Sequence, residues 1–292
     1  MGLSLGCLVT RPASQPNSRD SPISFLAQLN LFAQYTAAAY CTGNTNSPGD
    51  KVLCPIGNCP LVEEANTETL LEINTSRAGD VRGFVALDRT NRLLVISFRG
   101  TRSVKTWISN LKISQVDISF LCEGCAVHTG YWQSWRSVAT AVMNELLDFA
   151  GRNPDYSIVI TGHSAGAAIG TLAAMELRKA GWFIDLYAYG SPRVGNRAFA
   201  EFLTGQEHGS SFRITHSTDM VPQFPPRILG YSHFSPEYWV TTDKGGYFRE
   251  PEFAGIQAIH SNEGDTRQPS VLLLFSSVLD HFWYFGYVSA CI

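Results

Sequence analysis

Residues 155–170, DYSIVITGHSAGAAIG, contain the feature that most constrains how this chain can fold. An unbroken apolar run typical of a buried strand leads directly into a Gly/Ala-rich segment typical of a helix. Ser164 lies at the junction, within the pattern Gly-x-Ser-x-Gly. This pattern in this context favours a nucleophile elbow over a chance match in an ordinary helix start. We expect Ser164 to project above a sheet edge, with Gly162 and Gly166 leaving room for the backbones.

The patterns on either side of this turn predict an α/β fold. Helical apolar spacing occurs at residues 24–41, 134–154 and 165–181. Strand patterns occur as a hairpin at residues 82–100 and as single strands at residues 155–162, 183–192 and 211–222. Strand, helix and strand in this order require right-handed crossovers. We therefore expect a central, mostly parallel sheet that is flanked by helices.

The chain is predicted to form one folded domain, at residues 23–292. Of the 292 residues, 45% are hydrophobic, which supplies a real core, and no linker or repeat interrupts the sequence after Ile23. Residues 1–22 differ, because a short apolar stretch is followed by a segment rich in Pro, Ser and Arg. We interpret them as a disordered remnant of a signal and propeptide.

Charge and apolar run length exclude several classes of function. The formal net charge is −3 and no cluster of Lys or Arg occurs, so nucleic acid is not an expected partner. No apolar run is long enough to span a bilayer, which predicts no transmembrane anchor. No second Cys-x-x-Cys or nearby His pair accompanies Cys122 and Cys125. A zinc site is therefore not expected, and we predict no metal and no cofactor.

Seven cysteines indicate an oxidising compartment. Six of them allow 15 pairings, so spacing alone leaves the disulfide connectivity open. The seventh, Cys7, falls in the predicted leader. The glycosylation sequon at Asn74 adds weak support for secretion.

A nucleophilic serine requires a base, and the base requires an acid that orients it. In α/β hydrolases these residues follow the serine in the order acid, then histidine. Asp219 directly follows FRITHST, residues 212–218, which is the strand part of the pattern at residues 211–222. Asp185 instead lies inside a predicted strand and is expected to face solvent or a neighbour. Among the histidines, chain order favours His281 only slightly over His233. His163 and His216 are more typical of structural histidines.

Many segments match a known family in order: NLFAQYTAAAYC, LLVISFRGTRS, WRSVA, TGHSAG, SPRVGNRAFAEFL, FRITHSTDMVP, GYSHFSPEYW and HFWYFG. From about Asn30 onward the chain resembles the filamentous-fungal class 3 lipases of the Rhizomucor and Thermomyces type, and most resembles the Thermomyces type. The resemblance implies an α/β-hydrolase-type single domain with a short lid helix. It also implies the disulfides Cys41–Cys291, Cys54–Cys59 and Cys122–Cys125.

The resemblance assigns the catalytic residues as well. It implies Ser164 as nucleophile, Asp219 as acid and His281 as base, and places His233 outside the triad. Thr101 and Ala165 match the positions whose backbone N–H groups form the oxyanion hole. The family usually has Leu after the nucleophile, so Ala165 is a departure that keeps the N–H group and shortens the side chain. We expect an altered chain-length preference or efficiency rather than lost activity.

Residues 103–112 match the lid of the family. The apolar stripe at i, i+3, i+4 and i+7 agrees with an amphipathic helix and consists of Val104, Trp107, Ile108 and Leu111. Periodicity alone would favour a helix packed permanently on the body, and the resemblance favours a lid that opens at a lipid surface. The residues that match the acyl-binding groove are Tyr131, Met220, Val221 and Phe224, although each of them also suits a core.

These features predict a secreted serine esterase that hydrolyses triacylglycerols at an oil–water interface. We expect a monomer, with a weak dimer as the alternative. Related esterases remain alternatives: a feruloyl esterase, a phospholipase, or a lipase restricted to mono- and diacylglycerols. An inactive lipid-binding relative is the alternative that is not an enzyme.

Overall fold

A computed structural model describes residues 22–45, 48–75, 80–104, 106, 113–242, 253–259 and 277–291. In this part of the chain the helices are α1 (Pro22–Ala38), α2 (Pro60–Glu64), α3 (Thr129–Ala150), α4 (Ala165–Lys179) and α5 (Arg197–Thr204). The strands are β1 (Thr67–Thr75), β2 (Val81–Asp88), β3 (Leu93–Phe98), β4 (Gln115–Asp117), β5 (Ala126–His128), β6 (Ser157–His163), β7 (Ile184–Tyr189), β8 (Ser211–His216), β9 (Glu237–Thr242) and β10 (Phe253–Ile259).

The central sheet has the order β1-β2-β3-β6-β7-β8-β9-β10 among the described strands. Strands β3, β6, β7, β8 and β9 pair in parallel. Antiparallel strands β1 and β2 extend one edge, and β10 extends the other. The carboxyl ends of the parallel strands meet at one edge, which is where sites form in sheets of this kind.

Both faces of the sheet are covered, so its central strands are apolar on both sides. One core contains Ile96 and Ile160, which pack with α3 and α4. The other contains the neighbouring residues Val95 and Val159, which pack with α1 and the segment near Tyr284. Adjacent residues of one strand thus belong to opposite cores, as the alternation of side chains along a strand requires.

The helices predicted at residues 24–41, 134–154 and 165–181 are present, and the second of them begins five residues earlier than its pattern indicates. The sequence pattern starts this helix at residue 134, but α3 begins at Thr129. The His128 side chain accepts hydrogen bonds from the backbone N–H groups of Gly130 and Tyr131. Because histidine is an unusual N-cap residue, the sequence contains no familiar start signal at this point.

Three disulfides are present in the described structure, and one of them joins the last segment of the chain to the region after α1. Cys41, just after α1, is bonded to Cys291 across 250 residues. The other two pairs are local, Cys54–Cys59 and Cys122–Cys125. These are the pairs that the resemblance implies. In the described residues, no helix combines the length and the apolar character that crossing a membrane requires.

Candidate active site

Ser164 occupies a strained turn between β6 and α4. Its backbone has φ 59° and ψ −129°, which is a conformation that residues other than glycine rarely adopt. Ser164 is fully buried, and its N–H donates to the Tyr189 carbonyl at 2.9 Å. The expected elbow is therefore present, since a serine held at positive φ stands between a parallel strand and a helix.

Gly162 and Gly166 allow the backbones to approach at this elbow. A Cβ atom on Gly166 would lie 2.2 Å from the Phe98 carbonyl oxygen and 2.7 Å from the carbonyl carbon of Arg99. A Cβ atom on Gly162 would lie 2.7 Å from the Gly166 carbonyl. These contacts are with backbone atoms, so side-chain rotation cannot relieve them. Both positions therefore require glycine.

Gly166→Ala is expected to destabilise the fold by about 1–3 kcal/mol, because the added methyl group must displace the end of β3. Gly151→Ala is the matched control, because Gly151 ends α3 in a helical conformation with open space around it. That change should be neutral or stabilising. Urea unfolding of both variants measures the difference, and equal midpoints would contradict the packing argument.

Asp219 and His281 meet at the same sheet edge. Asp219 follows β8 by three residues, and His281 lies in a short 3₁₀ turn, Asp280–Phe282. The His281 Nδ1 and Asp219 Oδ2 atoms are 2.8 Å apart. Both side chains are buried, with exposed fractions of 0% and 1%. Because the carboxylate can only accept, Nδ1 carries the proton when Asp219 is ionised. The Nε2 lone pair is then free to accept a proton from a substrate or a nucleophile.

Asp219 has two further hydrogen bonds that fix its orientation. The Tyr284 hydroxyl donates to Oδ2 at 2.6 Å, and the Val221 N–H donates to Oδ1 at 2.9 Å. Tyr284 is a site residue that the sequence patterns do not indicate. Its position three residues after His281, on the next turn of the chain, is the one local signal that could have indicated it.

Three polar atoms of the residues predicted to form the site lack a hydrogen-bond partner within the described structure. They are the Ser164 hydroxyl, His281 Nε2 and the Thr101 hydroxyl, and all three are buried. Buried polar atoms are rarely left unsatisfied in folded proteins, and the exceptions are often functional. An acceptor and two hydroxyl groups in this state suit a site that completes its hydrogen bonds when a substrate binds.

The residues proposed for the oxyanion hole lie on both sides of Ser164. Thr101 follows β3, which pairs in parallel with β6, the strand that ends just before Ser164. Ala165 is the first residue of α4 and is 8% exposed. Its N–H group stands at the positive end of the helix dipole, which favours a developing negative charge.

The residues predicted to line an acyl-binding groove lie on two segments. Tyr131 is buried in the first turn of α3 and stacks on His128, with ring centroids 4.1 Å apart. Val221 is fully buried, while Met220 and Phe224 are partly buried in the turn after Asp219.

The lid prediction falls mainly outside the described part of the chain. Val104 is described and is 3% exposed, which places the start of this segment against the body. The rest of the stripe, Trp107, Ile108 and Leu111, lies outside the described residues.

The rival residues have other partners. His233 Nε2 lies 2.7 Å from the Pro222 carbonyl oxygen, and His216 Nδ1 lies 2.8 Å from that of Asp280. Asp185 accepts from the Ser210 N–H at 2.7 Å, and burial raises the pKa of its carboxyl. Of the acids and histidines considered, Asp219 and His281 are the pair that the structure brings together. In the described residues, no group of three or more His, Cys, Asp or Glu could hold a metal ion.

Comparison with known proteins identifies the family. A family model described as Lipase (class 3) matches residues 95–229, and one described as Lipase 3 N-terminal region matches residues 3–71. The secreted mono- and diacylglycerol lipase A of Penicillium cyclopium is 39% identical over 275 residues, covering 94% of this chain and 88% of that protein. The chain belongs to the class 3 lipase family.

Further similarities extend over most of this class 3 lipase. Secreted mono- and diacylglycerol lipase 1 of Fusarium solani is 37% identical over 270 residues, covering 91% of this chain and 78% of the relative. The crystal structure of a mono- and diacylglycerol lipase from Aspergillus oryzae matches with a TM-score of 0.81 and 35% identity, covering 91% of this chain and 98% of that one. The lipase is therefore an ester hydrolase with the α/β-hydrolase fold.

Proposed function

We propose that this lipase is a secreted serine enzyme that cleaves acylglycerol esters through Ser164, His281 and Asp219. The observation that carries the proposal is the buried Asp219–His281 pair, whose free Nε2 belongs to the same buried region as the unpartnered Ser164 hydroxyl. A base oriented by an acid and a serine on an elbow are the parts that acyl transfer requires.

The reaction has two steps. His281 Nε2 accepts the Ser164 proton as Oγ attacks the ester carbonyl, and the resulting oxyanion is stabilised by the N–H groups of Thr101 and Ala165. The imidazolium then gives its proton to the leaving alcohol, which breaks the ester bond and leaves an acyl-serine. Water, deprotonated by His281, attacks this ester in turn and releases the fatty acid. Asp219 stays ionised throughout and holds the ring in place.

We propose mono- and diacylglycerols as the preferred substrates. The support is that two relatives of high identity over most of the chain are named as mono- and diacylglycerol lipases. Triacylglycerol, which the sequence predicts, is the second candidate. It is favoured by the apolar stripe at Val104, Trp107, Ile108 and Leu111, which suits a lid that opens on an oil phase.

Secretion is part of the same proposal. Disulfides persist in oxidising compartments, and the fold contains Cys41–Cys291 and two local bridges. The two curated relatives are named as secreted proteins. We propose that residues 1–22 are a leader, that residues 23–292 form the mature domain, and that the enzyme acts as a monomer.

Rates on matched oleoyl esters test the substrate preference. We expect diolein and monoolein to be hydrolysed at least about tenfold faster than triolein. Faster hydrolysis of triolein would instead support the second candidate. Phosphatidylcholine and methyl ferulate should be poor substrates, and a preference for either would make the enzyme a phospholipase or a feruloyl esterase. Absence of turnover, with no labelling of Ser164 by an organophosphonate, would indicate an inactive lipid-binding relative.

A further inference from the structure

His163 is a buried histidine that connects two parts of the site and has no role in the two steps above. It ends β6 directly before Ser164 and is 1% exposed. Its Nδ1 lies 2.7 Å from the Tyr40 hydroxyl, and its Nε2 lies 2.8 Å from the main-chain oxygen of His281. Its ring also lies against the His281 ring, with centroids 4.3 Å apart and planes inclined by 34°.

The partners of His163 determine its tautomer. A carbonyl oxygen only accepts hydrogen bonds, so Nε2 must carry a proton to bond to the His281 oxygen. In a neutral imidazole the other nitrogen is then an acceptor, so the Tyr40 hydroxyl must donate to Nδ1. Tyr40 can always supply this proton, because burial raises the pKa of its hydroxyl. The His281 carbonyl thus sets the tautomer, and Tyr40 complements it by donating to Nδ1.

The neutral form is also the one that catalysis requires. Burial, and then the neighbouring His281 ring, hold the pKa of His163 well below its usual range. Asp219, bonded to His281 Nδ1 at 2.8 Å, is the carboxylate beside these two rings. Their other neighbours include Tyr40, with Arg99 beyond it, and Tyr284, whose ring centroid lies 5.6 Å from that of His163. When His281 accepts the Ser164 proton, a neutral neighbour avoids placing two cations face to face.

Tyr40 connects this contact to the loop that precedes Thr101. A Cβ atom on Gly100 would lie 2.2 Å from the Tyr40 hydroxyl, 2.7 Å from the His163 carbonyl oxygen and 2.9 Å from Ser164 Cβ. The elbow, the loop of the proposed oxyanion hole and the catalytic histidine therefore pack around the Tyr40–His163 pair.

A second histidine holds the preceding carbonyl of the same turn, that of Asp280. His216, at the end of β8, lies 2.8 Å from the Asp280 carbonyl oxygen through Nδ1. Consecutive carbonyls at positions 280 and 281 are thus each held by a histidine at a strand end. The two contacts differ, because His163 also packs against the imidazole ring itself.

We propose that His163 is a positioning residue: its neutral ring, protonated on Nε2, holds the main-chain carbonyl and the ring plane of His281, and Tyr40 donates to the other nitrogen of that tautomer. The inference rests on the proposed function, because it takes His281 as the base. Misplacing a catalytic group by about 1 Å can lower a rate by roughly 100-fold, so losing this contact should have a measurable effect on kcat.

Two substitutions separate positioning from packing. His163→Asn is too short to reach the His281 oxygen and should lower kcat by about 10–100-fold on a soluble butyrate ester, with KM changed by less than about twofold. His163→Gln places an amide N–H near the position of Nε2 and should restore kcat to within about fivefold of the wild type. Rates are expressed per active site titrated with a phosphonate, so unfolded protein does not contribute.

His208→Asn is the control for the substitution itself, because His208 is exposed and should retain wild-type kcat. Equal, undiminished kcat in His163→Asn and His163→Gln would overturn the inference while leaving the proposed function intact, provided that Ser164→Ala is inactive. Loss of kcat without rescue by Gln would also overturn it. Activity in Ser164→Ala would instead overturn the proposed function.

The tautomer can be measured on the wild-type enzyme, which keeps the inference testable if the Asn variant does not fold. ¹⁵N-labelled histidine spectra should show His163 protonated on Nε2 and unprotonated on Nδ1 between about pH 6 and 9. His163→Gln assigns the signal. A proton on Nδ1, or a charged ring in this range, would contradict the proposal.

Discussion

Ser164→Ala is expected to lower kcat for acylglycerol hydrolysis on the order of 10⁶-fold. The change removes Oγ, the atom proposed to form the acyl-enzyme, and leaves the rest of the buried region in place. Alanine and serine both carry a Cβ atom, so the strain at φ 59° is the same in the variant and we expect the turn to be retained. Hydrolysis of diolein by the purified variant, compared with the wild type in the same emulsion, measures the loss.

Two further substitutions separate the chemistry from the strain of the elbow. Ser164→Gly should be as inactive as Ser164→Ala but more stable by about 1 kcal/mol, because glycine adopts this conformation without cost. Ser137→Ala, which removes an exposed hydroxyl on α3, should retain full activity. Substantial turnover by either variant of Ser164 would exclude it as the nucleophile.

Asp219→Asn is expected to lower kcat by about 10⁴-fold. An amide can donate a hydrogen bond to His281 Nδ1 as readily as accept one, which favours the tautomer with the proton on Nε2. That tautomer cannot take the Ser164 proton. The burial of the pair strengthens the effect, because water has no access to replace the carboxylate. Single-turnover acylation by a nitrophenyl ester measures this step directly.

Tyr284→Phe is the matched control for the carboxylate. It removes one hydrogen bond to Asp219 and leaves the charge and the His281 contact in place. The loss should be about 10- to 100-fold, since one hydrogen bond to a charged group contributes about 1.5–3 kcal/mol. If the Asn and Phe variants lost equal activity, the carboxylate would not be acting through the tautomer of His281.

The elbow was predictable from the sequence because its causes are local. The buried run of β6, the glycines at 162 and 166 and the helix pattern of α4 lie within 25 residues. Asp219 was predictable for a similar reason, since it directly follows the pattern of β8. The strand β1 was not identified, because buried and partly exposed residues follow one another irregularly along it instead of alternating.

His281 could not be separated from His233 by local pattern alone, because its position depends on contacts far along the chain. The disulfide Cys41–Cys291 returns the last segment to α1. His163 and His216 then hold the carbonyls of residues 281 and 280. His233 also follows Asp219 along the chain, but its Nε2 lies 2.7 Å from the Pro222 carbonyl oxygen. The family resemblance supplied what spacing could not.

Covalent labelling tests the central claim most directly. After inactivation of the wild-type enzyme by a nitrophenyl phosphonate, peptide mass spectrometry should find one adduct, on Ser164, with one equivalent bound per molecule. His281→Ala should slow this labelling by orders of magnitude without moving it. Complete inactivation with the adduct on another residue, or labelling of Ser164 at the wild-type rate when His281 is removed, would contradict the account.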